Sequence, residues 1–514
     1  MQFLRIVYSK AWTKQFALDM ARRLPPPAYE VSKDLYIEAA DNNFILMRIK
    51  LQRVGATHKN VDMIQRIRYF AHAPHVDALQ LQAPSEFWVC PINWDGMRLR
   101  LEPAYCGLSA VLTKEWCERV TSGELQTVVS RPSMPIGKKT HMQSLRPYLG
   151  SASNSKHVDR YLCKVIRENR GKMAIGIGAD QAFEKAVWGR VLQRPRMFRR
   201  VFTICDWFHV TVWVLAAVWD LMPKHMLYFV DVLKVRKRGK QVMFKPKMDE
   251  VDMFIHYEGL ALAYIGGVQQ FLFEYLPHTV IANERLFLEQ YSQNKPLTEL
   301  YKSWQLMLQW LELKRAVNEF DIVKLERMIP TLFHLCMASG HTNVANQMLR
   351  MEWQRVCMMP QVWQARMEAS VVALTNKAAV GVGINFPVER LNLFMKIGSQ
   401  GVQDVNAIFD IGETFNATMP VERHLNEWLG MSQDRLAWCG NVNNNAAAIK
   451  EHLAAQLLPV GGGSRVLRLP RFDSLFGYND NDTNGKDMFD LHLGGYDPTS
   501  LIDRAVQEYS VLFI

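Results

Sequence analysis

Between Val158 and Asp180 the chain passes directly from helical spacing into a run without a single polar side chain, and this order restricts the fold most. VDRYLCKVIRENRGK (158–172) carries its apolar residues at helical intervals and closes on Gly171; MAIGIGA (173–179) follows and ends at Asp180. A short apolar run bounded by a glycine and an aspartate reads as a strand covered on both faces, the pattern of a parallel sheet layered with helices. VFTICDWFHV (201–210) repeats the theme, a strand passing into an apolar helix that ends near Trp219. The expectation is an α/β fold with a mixed, partly parallel sheet.

The rest of the chain divides around that unit. LYIEAAD (35–41) and SEFWVCP (85–91) are further strand candidates. Residues 1–33 read as an N-terminal helix stopped by the stiff spacer Pro25-Pro26-Pro27. Residues 34–220 form the first part of the core, with 121–155 expected as a long polar surface loop. Residues 221–375 lose strand alternation and show repeated i, i+3, i+4 spacing, as in SWQLMLQWLELKRAV, so they read as an all-helical insertion. Residues 376–455 return to the core as short helices, and the Gly- and Asn-rich 456–514 reads as an irregular tail.

Composition narrows the function classes. A formal charge of +11 favours a polyanionic partner but also fits many ordinary enzymes. The densest positive stretch is Lys234, Arg236, Lys237, Arg238, Lys240, Lys245 and Lys247, which suits a phosphate backbone, an import signal or a solvated loop. Eight scattered cysteines without a C-x-x-C pair argue against a zinc ribbon and against a disulfide framework, and favour a reducing compartment, nuclear or cytoplasmic. MQFLRIVYSKAWTKQF lacks the apolar core of a signal peptide. The apolar run from Trp207 to Trp219 is 13 residues, short of the roughly 18–20 needed to span a bilayer, so no membrane is expected.

Several residues carry potential chemistry, each with a plainer alternative. Gly176 and Gly178 invite a dinucleotide reading, but the third position of that fingerprint is Gln181. Asp180 at a strand end either faces a ligand crevice or caps the next helix. Asp41, followed by Asn42 and Asn43, is either a site acid or a turn residue. Asp206 and His209 sit at a strand-to-helix junction within an apolar run, where burial demands hydrogen bonds or a function. Glu389, Asn392 and Lys396 form one polar stripe on a helix starting near Pro387, either solvated or catalytic. Two strand-end acids and one helical acid make the layout a two-metal phosphoryl-transfer site requires, because hard Mg²⁺ prefers carboxylates.

Taken together, AADNNFILMRIKLQRVG (39–55), IGIGADQAF (175–183), CDWFHVTVWVLAAVW (205–219), HTNVANQMLRMEWQ (341–354) and NFPVERLNLFMK (385–396) resemble a transposase-derived domain-of-unknown-function family. Its members resemble RNase H-fold DDE transposases of the hAT-like type with a C/D-x-x-H motif. Asp206 and His209 match that motif, 26 residues beyond Asp180. The resemblance implies an RNase H-like mixed sheet with a large helical insertion before the final catalytic helix. It implies Asp41, Asp180 and Glu389 as catalytic and metal-holding acids, with Asp206, His209 and Asn392 supporting them. It implies Mg²⁺ or Mn²⁺ as cofactor, no small-molecule cofactor, DNA as partner and room for a homo-oligomer; the basic run gives Lys234, Arg236, Lys237, Arg238 and Lys240 as the candidate DNA-binding residues. The function implied is phosphodiester cleavage, active or degenerate; the alternative is a catalytically inactive nucleic-acid- or protein-binding factor with the same fold.

Overall fold

The run after Gly171 is a strand, Ala174–Ala179, with every residue buried, and its neighbour Val201–Cys205 is buried throughout as well. The computed structural model describes residues 35–47, 59–70, 88, 140–221, 251–373, 381–399, 404–428, 433–457 and 507. Those two strands, β4 and β5, complete a five-stranded sheet with β1 (Leu35–Met47), β2 (Lys59–Phe70) and β3 (His141–Leu149), in the order β3-β2-β1-β4-β5. β1, β4 and β5 run parallel; β2 is antiparallel to β1 and β3 antiparallel to β2. The chain is therefore a mixed α/β protein.

Helices connect the parallel strands. α1 (Ser155–Glu168) leads into β4, its first turn fixed by Asn154 Oδ1, which accepts from the Lys156 and His157 amides. Val158, Tyr161, Leu162 and Val165 form its buried stripe. α2 (Gln181–Gln193) and the single turn α3 (Pro195–Phe198) return the chain to β5. The glycines of GIG serve packing. A Cβ on Gly176 would stand 2.7 Å from Ile204 Cδ1, and one on Gly178 would stand 2.8 Å from Ile384 Cγ2.

Beyond β5 come α4 (Trp207–Leu221), then α5 (Val251–Tyr275), α6 (His278–Ile281), α7 (Glu284–Tyr291), α8 (Lys295–Asn318), α9 (Ile322–Ala338), α10 (Thr342–Cys357) and α11 (Pro360–Ala369). A small hairpin, β6 (Val371–Ala373) with β7 (Gly381–Gly383), precedes α12 (Phe386–Gly398), α13 (Val405–Trp428) and α14 (Gln433–Leu457). Buried polar contacts pin the helical stretch to the sheet layer. Arg350 of α10 pairs with Glu184 of α2, and Arg366 Nε of α11 donates to the Thr203 carbonyl of β5 at 2.6 Å. Among the described residues, no helix is long and apolar enough to cross a membrane.

The structure departs from the sequence expectations in three places. Residues 141–149, expected within a surface loop, form β3. Its polar sequence and Pro147 suit a sheet edge, and the register skips a residue there, between Ile64 and Arg66 of β2. The helices expected to be short after residue 385 include two of 24 and 25 residues, α13 and α14. The block 221–375, expected as an almost wholly helical insertion, is helical through its described residues up to the three-residue β6 near its end. The N-terminal helix and Pro spacer, the 121–139 part of the expected loop, the basic run 234–247 and nearly all of the tail lie outside the described residues. So does the 85–91 strand candidate, except Trp88, which bridges to Met358.

β2 carries polar residues inward because β1 supplies their partner. Glu38 is fully buried, with Arg66 Nε 2.7 Å from Oε1 and Arg66 Nη2 2.8 Å from Oε2. The hydroxyls of Tyr36 and Tyr161 donate to the same carboxylate at 2.6 and 2.7 Å. Burial alone would raise the Glu38 pKa, but the Arg66 charge and these donors hold it below the usual carboxylate value. Glu38 thus contributes stability present above its unfolded pKa, about 4.3, and lost as pH falls through the lower folded value. Arg66→Met should strand the charge and lower stability by about 3–5 kcal/mol in urea unfolding, with much of this recovered in the Glu38→Gln/Arg66→Met double variant. A double variant as unstable as the single one would show that the loss comes from packing instead.

Candidate functional site

The parallel strands bring three aspartates into line. Ala39 of β1 pairs with Gly178 of β4, and Ala179 of β4 pairs with Cys205 of β5. Continued toward the carboxyl ends, these registers set Asp41, Asp180 and Asp206 side by side across the three strands, where ligands of such sheets collect. Asp41 lies within β1, so of its two readings the turn residue is the one the structure does not bear out. Asp180 does cap α2, its Oδ1 accepting from the Phe183 amide at 2.7 Å. It also stays close enough to Asp206, His209, Glu389 and Asp41 for their charges to act on it or it on them.

Asp206 is the meeting point of the layer. Its Oδ1 accepts from the amides of Phe208 at 3.1 Å and Asn385 at 3.2 Å; its Oδ2 accepts from the His209 amide at 3.3 Å and contacts His209 Nδ1. Gly383 permits this approach, because a Cβ there would lie 2.1 Å from the Phe208 nitrogen and 2.6 Å from Asp206 Oδ1. Tyr69 of β2 donates to the Ile384 carbonyl at 2.6 Å, fixing the same turn from the other side. α12 begins immediately after, with the Val388 and Glu389 amides donating to the Asn385 carbonyl.

That start places two side chains of α12 over β1. Glu389 Oε1 lies 3.3 Å from His209 Nε2, so the imidazole bridges Asp206 and Glu389. Asn392 Nδ2 donates to Asp41 Oδ2 at 2.6 Å, while the Asn42 amide donates to Asp41 Oδ1 at 2.8 Å. The Asp41 and Glu389 carboxyls lie close enough for each to act on the other's proton affinity. The expected polar stripe of α12 therefore splits: Asn392 is buried, Glu389 is partly covered and Lys396 is exposed.

Charge orders the protons. Burial and the neighbouring Glu389 and Asp180 push the Asp41 pKa well up, making it the proton holder of the pair. Burial would raise Glu389 too, but the His209 hydrogen bond and charge keep it low and ionised. Burial would depress His209, yet Asp206 and Glu389 outweigh it and hold the ring as a cation. Asp180 is raised by burial, with the His209 charge and the Phe183 amide opposing that rise.

Among the described residues, no three acidic, imidazole or thiol side chains stand as a ready coordination shell. The donor chemistry nonetheless fits a hard divalent cation. Asp41, Asp180 and Glu389 offer carboxylate oxygens, and the proton on Asp41 relieves a negative excess that such a cation would relieve. Asp41, Asp180, Glu389, Asp206, His209 and Asn392 thus come together, while Lys234, Arg236, Lys237, Arg238 and Lys240 lie outside the described residues. Sequence reasoning missed Gly383, Tyr69 and three buried carboxamides nearby. Both amide atoms of Asn43 and Asn385, and Oε1 of Gln65, have no hydrogen-bond partner. Compared with protein-family models, curated proteins and solved structures, the chain matches none.

A raised carboxyl pKa gives the native state extra protons above the unfolded value, about 3.9, so stability falls as pH rises toward the folded value. Asp41→Asn removes that liability and keeps the shape. At pH 8 it should melt higher than wild type, at roughly 2–4 °C for each kcal/mol regained, and the two proteins should converge near pH 4. Mg²⁺ should raise the wild-type melting temperature and leave the variant nearly unchanged. A variant that melts lower than wild type at pH 8 would contradict the proton assignment.

Proposed function

We propose that this chain is a transposase-derived, RNase H-like protein that binds DNA and cleaves phosphodiesters with a divalent metal. The observation carrying this reading is the meeting of Asp41 and Asp180, from adjacent parallel strands, with Glu389, from a helix that follows a long helical stretch. The sheet order, with three antiparallel strands followed by two parallel ones, agrees with it. Asp41, Asp180 and Glu389 would hold Mg²⁺ or Mn²⁺, which when bound supplies charge stabilisation at a phosphate and acidification of the attacking hydroxyl.

The remaining work falls to the chain's own groups. Asp206 orients the His209 ring, and His209 fixes Glu389 and keeps it ionised. Asn392 orients Asp41. Asp41, whose carboxyl burial and the Glu389 and Asp180 charges push up, would give its proton to solvent if a divalent cation bound, and would then offer a carboxylate oxygen to it. Outer partners that orient a metal's ligands typically contribute about 10–100-fold in activity or affinity.

A second reading is a factor that retains the fold and binds without cutting. It is favoured by Asp180 capping α2 and by Glu389 pairing with His209, which engage two acids in structural bonds. Nicking of supercoiled plasmid separates the two. For the enzyme, cleavage requires Mg²⁺ or Mn²⁺, Asp180→Asn and Glu389→Gln abolish it, and His209→Gln lowers it by about 10–100-fold with duplex binding preserved in all three. Salt-sensitive duplex binding with no cleavage under either metal would select the binding factor. Equal nicking by wild type and Asp180→Asn would end the enzyme reading.

A further inference from the structure

The far side of the sheet carries a second charged feature. A cleft of about 670 Å³ runs along the outer face of α1 and is lined by the cations Lys156, Arg160, Lys164, Arg167 and Arg194, together with Tyr148 of β3. Its two acids are already committed. Asp159 pairs with Arg190 and Arg194, and Glu168 pairs with Arg66 and Lys164. Lys156, Arg160 and Arg167 are exposed, and among the described residues none has an acidic partner. Lys164 also sits over the Tyr148 ring at 5.8 Å.

This cleft lies opposite the acidic site. Asp41 faces α12 through Asn392, whereas Asn42 and Glu38 of β1 point to the other face: Asn42 Oδ1 accepts from the Ala152 amide just ahead of α1, and Glu38 accepts from Tyr161 of α1. We propose that the α1 cleft is a docking surface for the phosphate backbone of duplex nucleic acid, separate from the acid cluster. The inference deepens the DNA reading given above and rests on it for the class of ligand.

Geometry selects a duplex. Lys156, Arg160, Lys164 and Arg167 recur every three or four residues and so line one helix face. From first to last they cover about 16 Å at about 1.5 Å per residue, the axial length of roughly five phosphates on one strand. A membrane surface fits less well, because a helix lying on lipid inserts an apolar face. The apolar side of α1 is turned into the core, and none of the exposed large hydrophobics belongs to α1.

The test uses the full chain and a 20-bp duplex of arbitrary sequence, followed by fluorescence anisotropy from 50 to 200 mM salt. The Lys156→Gln/Arg160→Gln/Arg167→Gln variant replaces exposed side chains only, and its melting temperature checks that it folds. Each phosphate contact contributes a slope of about −0.9 in log K against log salt. The triple variant should therefore bind at least about 10-fold more weakly at low salt, with a slope shallower by roughly two to three. Arg160→Glu alone should weaken binding in the same direction. Unchanged affinity and slope in a folded triple variant would overturn this surface while leaving the DNA reading intact. Loss of binding in the triple variant, with metal-independent nicking equal in wild type and Asp180→Asn, would uphold the surface and end the enzyme reading. If wild type ignores the duplex but binds phosphatidylserine vesicles through these cations, the surface is a lipid site and the proposal falls.

Discussion

Asp206 is the knot that ties two distant parts of this chain together. One carboxylate accepts from Phe208, His209 and Asn385, the last of them 179 residues away. It ends β5, starts α4 and fixes the turn from which α12 departs. Together with Tyr69, which holds the Ile384 carbonyl, it sets the direction in which α12 starts, and a helix rotated by one residue turns its side chains by about 100°. Glu389 and Asn392 would then leave Asp41. The absent Cβ of Gly383 is part of the same constraint, since the Phe208 nitrogen occupies the space a side chain would need.

The long helical stretch between these two parts has to be held without disturbing that junction. It is held through polar contacts on the layer behind β5. Glu184 of α2 accepts from Thr203 at 3.0 Å and pairs with Arg350, and Gln354 reaches the same Thr203 hydroxyl at 3.4 Å. Arg366 is buried on the Thr203 carbonyl, and burial pulls its guanidinium pKa down to about 10. Buried groups of this kind add little net stability but penalise every docking that leaves one unpaired. They therefore specify where the helices sit, while Trp304, Trp310 and Trp353, each fully buried, supply the apolar area.

What could be read in advance follows from these contacts. β4, β5 and α1 announce themselves because their apolar residues form a nearly unbroken run or a helical stripe that is visible along the chain. β2 does not, because Arg66 looks like a surface residue until Glu38 of the neighbouring β1 pairs with it, and Gln65 does until Met395 of α12 covers it. β3 does not, because an edge strand tolerates Pro147 and polar residues that elsewhere signal a loop. The acids were visible as residue types at strand ends and at a helix start. The inward turn of Asn392 and the roles of Gly383 and Asn385 were not, because they exist only in relation to Asp206. The glycines of GIG illustrate the converse: a motif that suggests a ligand is explained by Ile204 and Ile384 packing against bare backbone.

The acid cluster is a local conflict with stability, and its wiring limits the damage. Three carboxyls and Asp206 share a partly dry space with a single imidazole cation, which leaves negative charge in excess. The chain handles the excess by assigning unequal roles. His209 neutralises the Asp206 and Glu389 side, the Phe183 amide helps at Asp180, and Asp41 keeps the proton. The least compensated acid is thus the one on the most central strand, held by two neutral donors, Asn42 and Asn392, which orient it without fixing its charge. A structural carboxylate would be expected to gain a cation there, as Glu38 does three residues earlier on the opposite face. Glu38 is thus matched by Arg66, whereas Asp41 is held only by neutral donors among neighbouring acids that push its carboxyl pKa up, so the two faces of β1 treat a buried carboxyl in opposite ways.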